Sequence, residues 1–190
     1  GSIELDGNQL IGKNVKQVLD LGVGFVPEDR TEDGLVAEFT IAENLMLDRS
    51  DREPFAKGLA LKLNVLKEFA EQKVKQYDVR AQGISTKAGQ LSGGNQQKVV
   101  LARELSRELR LLVASQPTRG LDVGSIEFVH EQIVAARDSG IPVLIVATEL
   151  DEATQLGDRI AVMYRGKVVG IVDPKTDRAV LGQMMAGITK

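Results

Sequence analysis

The chain has 190 residues, 43% of them hydrophobic, and a formal net charge of -3 from 24 basic and 27 acidic side chains. That length can bury a real core and suits one domain with a sizeable subdomain, while the interspersed charges argue against a general nucleic-acid binder, which needs a basic face to release counterions. With no cysteine and a single histidine, His130, disulfides, thiolate–metal sites and a zinc centre fall away together. Aromatic residues make up only 4% and tryptophan is absent, so platforms for stacking bases or sugars are scarce. No apolar run is long enough to cross a bilayer and no secretory pattern opens the chain, and a cytoplasmic address is the expectation.

Ile3-Glu4-Leu5 alternates like a short strand, Asp6-Gly7-Asn8 carries turn chemistry, and Asn14 is placed to cap a short helix through Leu21. Gly7 to Asn14 also matches a Gly-x4-Gly-Lys phosphate loop, failing where Ser or Thr should hold magnesium. Leu10 and Ile11 would put two bulky apolar side chains where backbone amides must wrap a phosphate, so a hairpin turn leading into a helix is the reading taken. Val23 to Val26 predicts a strand stopped by Pro27, and Pro27-Glu28-Asp29-Arg30 with Gly34 a polar loop after a strand end, a common place for function in open α/β sheets. Thr40-Ile41-Ala42-Glu43 is a capping box, and Leu66, Phe69, Lys73 and Tyr77 sit near helical spacing. Val36 to Leu109 therefore reads as a largely helical insert.

The insert ends in the stretch around which the chain is organised, Gln90 to Asp122. Ser92 is a good helix N-cap, and Gly93 and Gly94 leave the next amides uncovered, so a helix starting here aims bare N–H groups and its positive dipole end at an anion. Leu111 to Ala114 reads as a buried strand behind it. In nucleotide hydrolases such a strand usually ends in carboxylates that hold magnesium and activate water; here it ends in Ser115 and Gln116. A helix-length segment from Gly124 to Ser139 and a second apolar run, Val143 to Ala147, complete a βαβ unit whose strands are expected to be covered on both faces. His130 lies mid-helix in that crossover, and Asp151-Glu152 suits the first turn of a further helix. Arg159–Tyr164 and Lys167–Val172 predict a terminal hairpin around Arg165-Gly166, and Asp177–Ala186 a last helix.

Leu91-Ser92-Gly93-Gly94-Asn95-Gln96-Gln97-Lys98, then a helix, a hydrophobic strand and Pro117-Thr118-Arg119-Gly120-Leu121-Asp122, resembles the nucleotide-binding domain of ATP-binding cassette (ABC) transporters. Val26 to Arg30, Ser92 to Lys98 and Pro117 to Gly124 resemble more narrowly the second cassette of double-cassette importers for simple sugars and nucleosides. The resemblance implies an α/β fold of the P-loop NTPase (RecA-like) class: a mostly parallel sheet from residues 1–36 and 110–190, an inserted helical subdomain at 37–109, and a missing N-terminal phosphate-loop segment. In that family two cassettes close head to tail on ATP. Leu91, Ser92, Gly93, Gly94, Asn95 and Gln96 would then serve the γ-phosphate of an ATP held by the first cassette of the same polypeptide, with Mg2+ held mainly by that cassette and Asp122 contacting the dimer partner. Membrane permease subunits, and indirectly an extracytoplasmic substrate-binding protein, are the further partners implied, at the inner face of the cell membrane; nucleic acid is not.

Four positions depart from the family pattern. The magnesium aspartate falls on Ser115, the catalytic glutamate on Gln116, whose neutral amide cannot accept a proton from water, the switch histidine on Thr148, and the loop glutamine on Glu28. The resemblance thus implies a degenerate hydrolytic site and a role in trans. The alternative is an interaction module that keeps the cassette shape without binding nucleotide. The Ala114-Ser115-Gln116-Pro117 variant points toward nucleosides or pentose-type sugars as cargo.

Overall fold

The first pairing in the computed structural model, which describes residues 1–188, is a hairpin of β1 (Glu4–Leu5) with β2 (Asn8–Gln9). Asp6 and Gly7 take φ of 49° and 76°, the pair of left-handed residues that a tight hairpin turn needs. Gly7 is thus a turn residue and Lys13 stands exposed beside the Asn14 cap of α1 (Val15–Asp20), which leaves no phosphate loop there. The cap is reciprocal: the Gln17 amide donates to Asn14 Oδ1 at 2.9 Å, and the Asn14 amide donates to Gln17 Oε1 at 3.0 Å. β3 (Val23–Val26) follows.

Two units divide the chain, Gly1–Leu144 and the segment from Ile145 onward. In the first, the expected polar loop after β3 is wound into one π-helical turn, Arg30–Gly34. Asp29 caps it, accepting from the Thr31 hydroxyl at 2.6 Å and from the amides of Thr31 and Glu32, and those bonds hold its carboxyl below the usual range. The predicted capping box opens α2 (Ile41–Met46), with the Thr40 amide donating to Glu43 Oε2 at 2.7 Å. Fully buried Asn44 sews the preceding loop to this helix, accepting from the Val36 amide and donating to the Val36, Phe39 and Thr40 carbonyls. A hairpin of β4 (Ala56–Lys57) and β5 (Ala60–Leu61) interrupts the helical run before α3 (Leu63–Gln76).

The centre of this unit is α4 (Gly93–Glu104), which packs against α2, α3 and β3, with Val99, Val100, Leu101 and Ala102 fully buried. Buried on nearly every side, polar residues included, it is an interior helix. Its C-terminal turn is fixed by charge. Glu104 accepts from Arg103 Nε at 2.8 Å, from Arg107 Nη2 at 2.6 Å and from the Phe25 amide at 3.1 Å, and Arg103 donates onward to the Gly34 carbonyl. Arg107 Nη1 stands 3.0 Å from Asp48 Oδ2, in ion-pair range, although both Asp48 oxygens lack an aligned hydrogen bond.

β6 (Leu111–Ser115) pairs in parallel with β3, in register from Val23 opposite Leu111 to Val26 opposite Ala114. α5 (Val123–Asp138), buried through Val129, Ile133 and Ala136, leads to β7 (Val143–Val146), and the strand order is β3-β6-β7. The expectation of strands covered on both faces holds for only part of them: two of the five residues of β6 and none of the four of β7 are buried. Leu112 and Ala114 are sealed, but Phe25 and Leu144 are 46% and 55% exposed, because α4 lies over one side of the sheet and alternate residues point away from it.

In the second unit, Asp151 and Glu152 lie in the first turn of α6 (Leu150–Leu156), where acids suit the helix dipole. β8 (Ile160–Tyr164) pairs antiparallel with β9 (Lys167–Val172) through a turn in which Arg165 and Gly166 take positive φ, with an irregularity between Val162 and Met163. α7 (Arg178–Met185) packs on β8 and buries Leu181, and its Arg178 pairs with Asp151.

Candidate functional site

The N-terminal turn of α4 is built as its sequence predicts. Ser92 Oγ accepts from the Asn95 amide at 3.4 Å and from Asn95 Nδ2 at 2.9 Å, and the Ser92 carbonyl accepts from the Gln96 amide. Of the first helical amides, those of Gly93 and Gly94 are the ones this cap does not reach. Ser92 is exposed and Gly93 half-buried, whereas Gly94 is buried against the start of α5: a Cβ there would collide with Ser125 Oγ. Asn95 Oδ1 also accepts from the Arg80 amide at 2.8 Å. Gln96, grouped with the motif from sequence, turns inward and donates to the Ala88 carbonyl, so its side chain is not offered to a ligand. Leu91 is half-buried before the cap.

Two loops converge on this turn, the β6–α5 connection at two points and the segment after β3. Gln97, buried, donates to the Pro117 carbonyl at 2.7 Å and fixes α4 to the loop after β6. Asp122 caps α5, accepting from the Ser125 amide at 3.0 Å and hydroxyl at 2.7 Å, and the hydroxyl bond chiefly keeps its carboxyl below the usual range. From the third side comes Arg30, whose Nη1 donates to the Arg119 carbonyl at 3.0 Å. Arg30, Arg119 and Ser125 were not legible as parts of this turn, because no local spacing relates positions 30, 119 and 125 to 93.

The degenerate positions are placed as follows. Ser115 ends β6, and Gln116 follows it with φ of 44°, a left-handed conformation that costs a residue other than glycine roughly 1 to 3 kcal/mol. Glu28 is exposed and forms an ion pair with Arg119, joining the loops after β3 and β6. Thr148 is exposed in the second unit, between β7 and α6. These donors do not fit a magnesium site: Glu28 is committed to a guanidinium, Ser115 and Gln116 are neutral, and no cluster of three acidic or imidazole groups occurs among the described residues. His130 sits partly buried in α5, and none of the described helices is long and apolar enough to cross a membrane.

The backbone matches a dimeric structure of the bacterial ABC transporter cassette MJ0796 with a TM-score of 0.75 over 93% of this chain and 75% of that one, at 23% identity. That likeness shows the fold, an α/β cassette of the P-loop NTPase class. The ABC transporter family model matches residues 1–119, and the chain belongs to that family. It is 44% identical over 98% of its length to the nucleoside import ATP-binding protein NupA of Lactococcus lactis, and 41% identical over its whole length to the guanosine import ATP-binding protein NupO of Bacillus subtilis. The chain spans 37% and 38% of the lengths of those two relatives.

Proposed function

We propose that this chain acts as the degenerate second cassette of an importer ATPase for nucleosides or simple sugars, and lends its signature turn to an ATP whose phosphate loop and Mg2+ ligands belong to the first cassette of the same polypeptide. The observation that carries this reading is the capped N-terminus of α4, where exposed Ser92 and the amides of Gly93 and Gly94 stand free of their own cap. Such a turn stabilises a phosphate without supplying a base or a metal ligand. Residues 37–109 and the loops from Glu28 to Ala42 form the surface that passes closure to a membrane permease, itself fed by an extracytoplasmic binding protein. Among cargoes, nucleosides are favoured by the likeness to NupA and NupO.

The test is Gly93→Asp in the full-length double-cassette polypeptide, which sets a carboxylate against the γ-phosphate. ATP turnover is expected to vanish; turnover at the parent rate would overturn the reading. The rival reading, an interaction module indifferent to nucleotide, draws support from the Glu28–Arg119 pair that fills the loop where a metal contact is expected. It predicts that this chain and the first cassette associate equally with and without ATP, whereas the motor reading requires ATP for association.

A further inference from the structure

Gly93 is constrained from inside the molecule as well as by the ligand it would face. A Cβ built there would stand 2.5 Å from Arg30 Nη2, 3.2 Å from Cζ and 3.5 Å from Nε, so the guanidinium occupies the space that any other residue would need. Arg30 is held in that place by the bond from Nη1 to the Arg119 carbonyl, and by the π-helical turn that Asp29 caps. One further donor is idle: Nε is buried without a hydrogen-bond acceptor among the described residues. A guanidinium with a desolvated, unfilled donor is costly, and it lies beside the positive end of α4.

We propose that Arg30 is a further positioning residue of the nucleotide site. It clamps the Ser92–Gly93 turn to the loop at Arg119 and adds its charge beside the amides that meet the phosphate of an ATP held by the opposite cassette. The inference rests on the functional reading above and extends it to a residue outside the signature motif. Arg30 touches the turn and not the reacting atoms, and both its clamp and its charge depend on the guanidinium keeping its place beside Gly93.

A double-mutant cycle in the full-length polypeptide tests the contact, with ATP hydrolysis and thermal unfolding both measured. Arg30→Ala is expected to lower kcat/KM for ATP by about tenfold to a hundredfold, the range of a lost charge-assisted contact, with the melting temperature little changed. Gly93→Ala should cause a similar loss by displacing the guanidinium, and should add nothing in the Arg30→Ala background. Arg30→Lys should fail to restore activity, because one ammonium cannot both reach the Arg119 carbonyl and cover Gly93. Parent-like turnover in Arg30→Ala, or losses that multiply in the double variant, would overturn the inference. If Gly93→Asp abolishes turnover while Arg30→Ala does not, only this inference falls; if Gly93→Asp is active, the functional reading falls first.

Discussion

The two ends of α4 are built on opposite principles. At the C-terminal end, Arg103, Glu104 and Arg107 are buried and bonded to one another, to β3 and to the Gly34 carbonyl. At the N-terminal end, eleven residues earlier, an exposed serine, half-buried Gly93, buried Gly94 and an arginine whose buried Nε lacks an acceptor come together. One end fastens the helix to the sheet, and the other holds a set of donors that the chain itself does not fill. In the proposed reading, the open end is the one that meets the phosphate.

The largest expected effect of breaking this contrast is at the closed end. Glu104→Ala leaves two buried guanidiniums and the Phe25 amide without their acceptor, and should destabilise the chain by about 3 to 5 kcal/mol in urea denaturation. Asp48→Ala should cost less, about 1 to 3 kcal/mol, because its contacts with Arg107 are poorly aligned. Equal losses at the two positions would mean that the cluster acts as one unit.

At the open end the signs divide between stability and function. Ser92→Ala removes a cap and should cost only about 1 kcal/mol of stability. In the full-length polypeptide it should nevertheless lower kcat/KM for ATP by about tenfold or more, since the hydroxyl is also a phosphate contact in the proposed reading. A variant that loses stability and activity in proportion would place Ser92 with the closed end, as a structural cap alone.

How much of this was legible follows the range of the interactions. The caps at Asn14, Thr40 and Ser92 bond within three residues, so composition and spacing reveal them; Asp122 caps α5 over the same short range but was read only as a dimer contact. Lys98, by contrast, lies over Phe128 at 4.7 Å and donates to the Asp78 carbonyl, joining α4, α5 and the turn after α3, which no window of sequence sets side by side. The Arg30–Gly93 contact is of the same kind. The β4–β5 hairpin was missed for a local reason: apolar Leu59 to Leu61 is followed after one residue by α3, hiding the turn at Gly58, whose φ is 62°. The open residues of the sheet, Phe25 and Leu144, were masked because an apolar strand reads alike whether one face or both are covered.

The smallest effect belongs to the outer ties between α1 and the insert. Asp51 accepts from Lys16 and from Arg52, and Arg52 also reaches Asp20. The bond from Lys16, and after it the one from Arg52, lowers the Asp51 carboxyl from 3.8 to about 2. Because the folded value lies below the unfolded one, this pairing contributes stability above pH 3.8, and the contribution is lost as the pH falls from there toward 2. Asp51→Asn should therefore reduce the slope of stability against pH within that window and leave it unchanged near neutrality. The pairing is solvent-exposed, so raising the salt concentration should diminish the same slope in the parent, whereas the buried ties of Glu104 should respond little. Urea midpoints measured across pH 2 to 5, at low and high salt, read both effects at once; a slope that Asp51→Asn leaves intact would assign the acid sensitivity to other carboxylates.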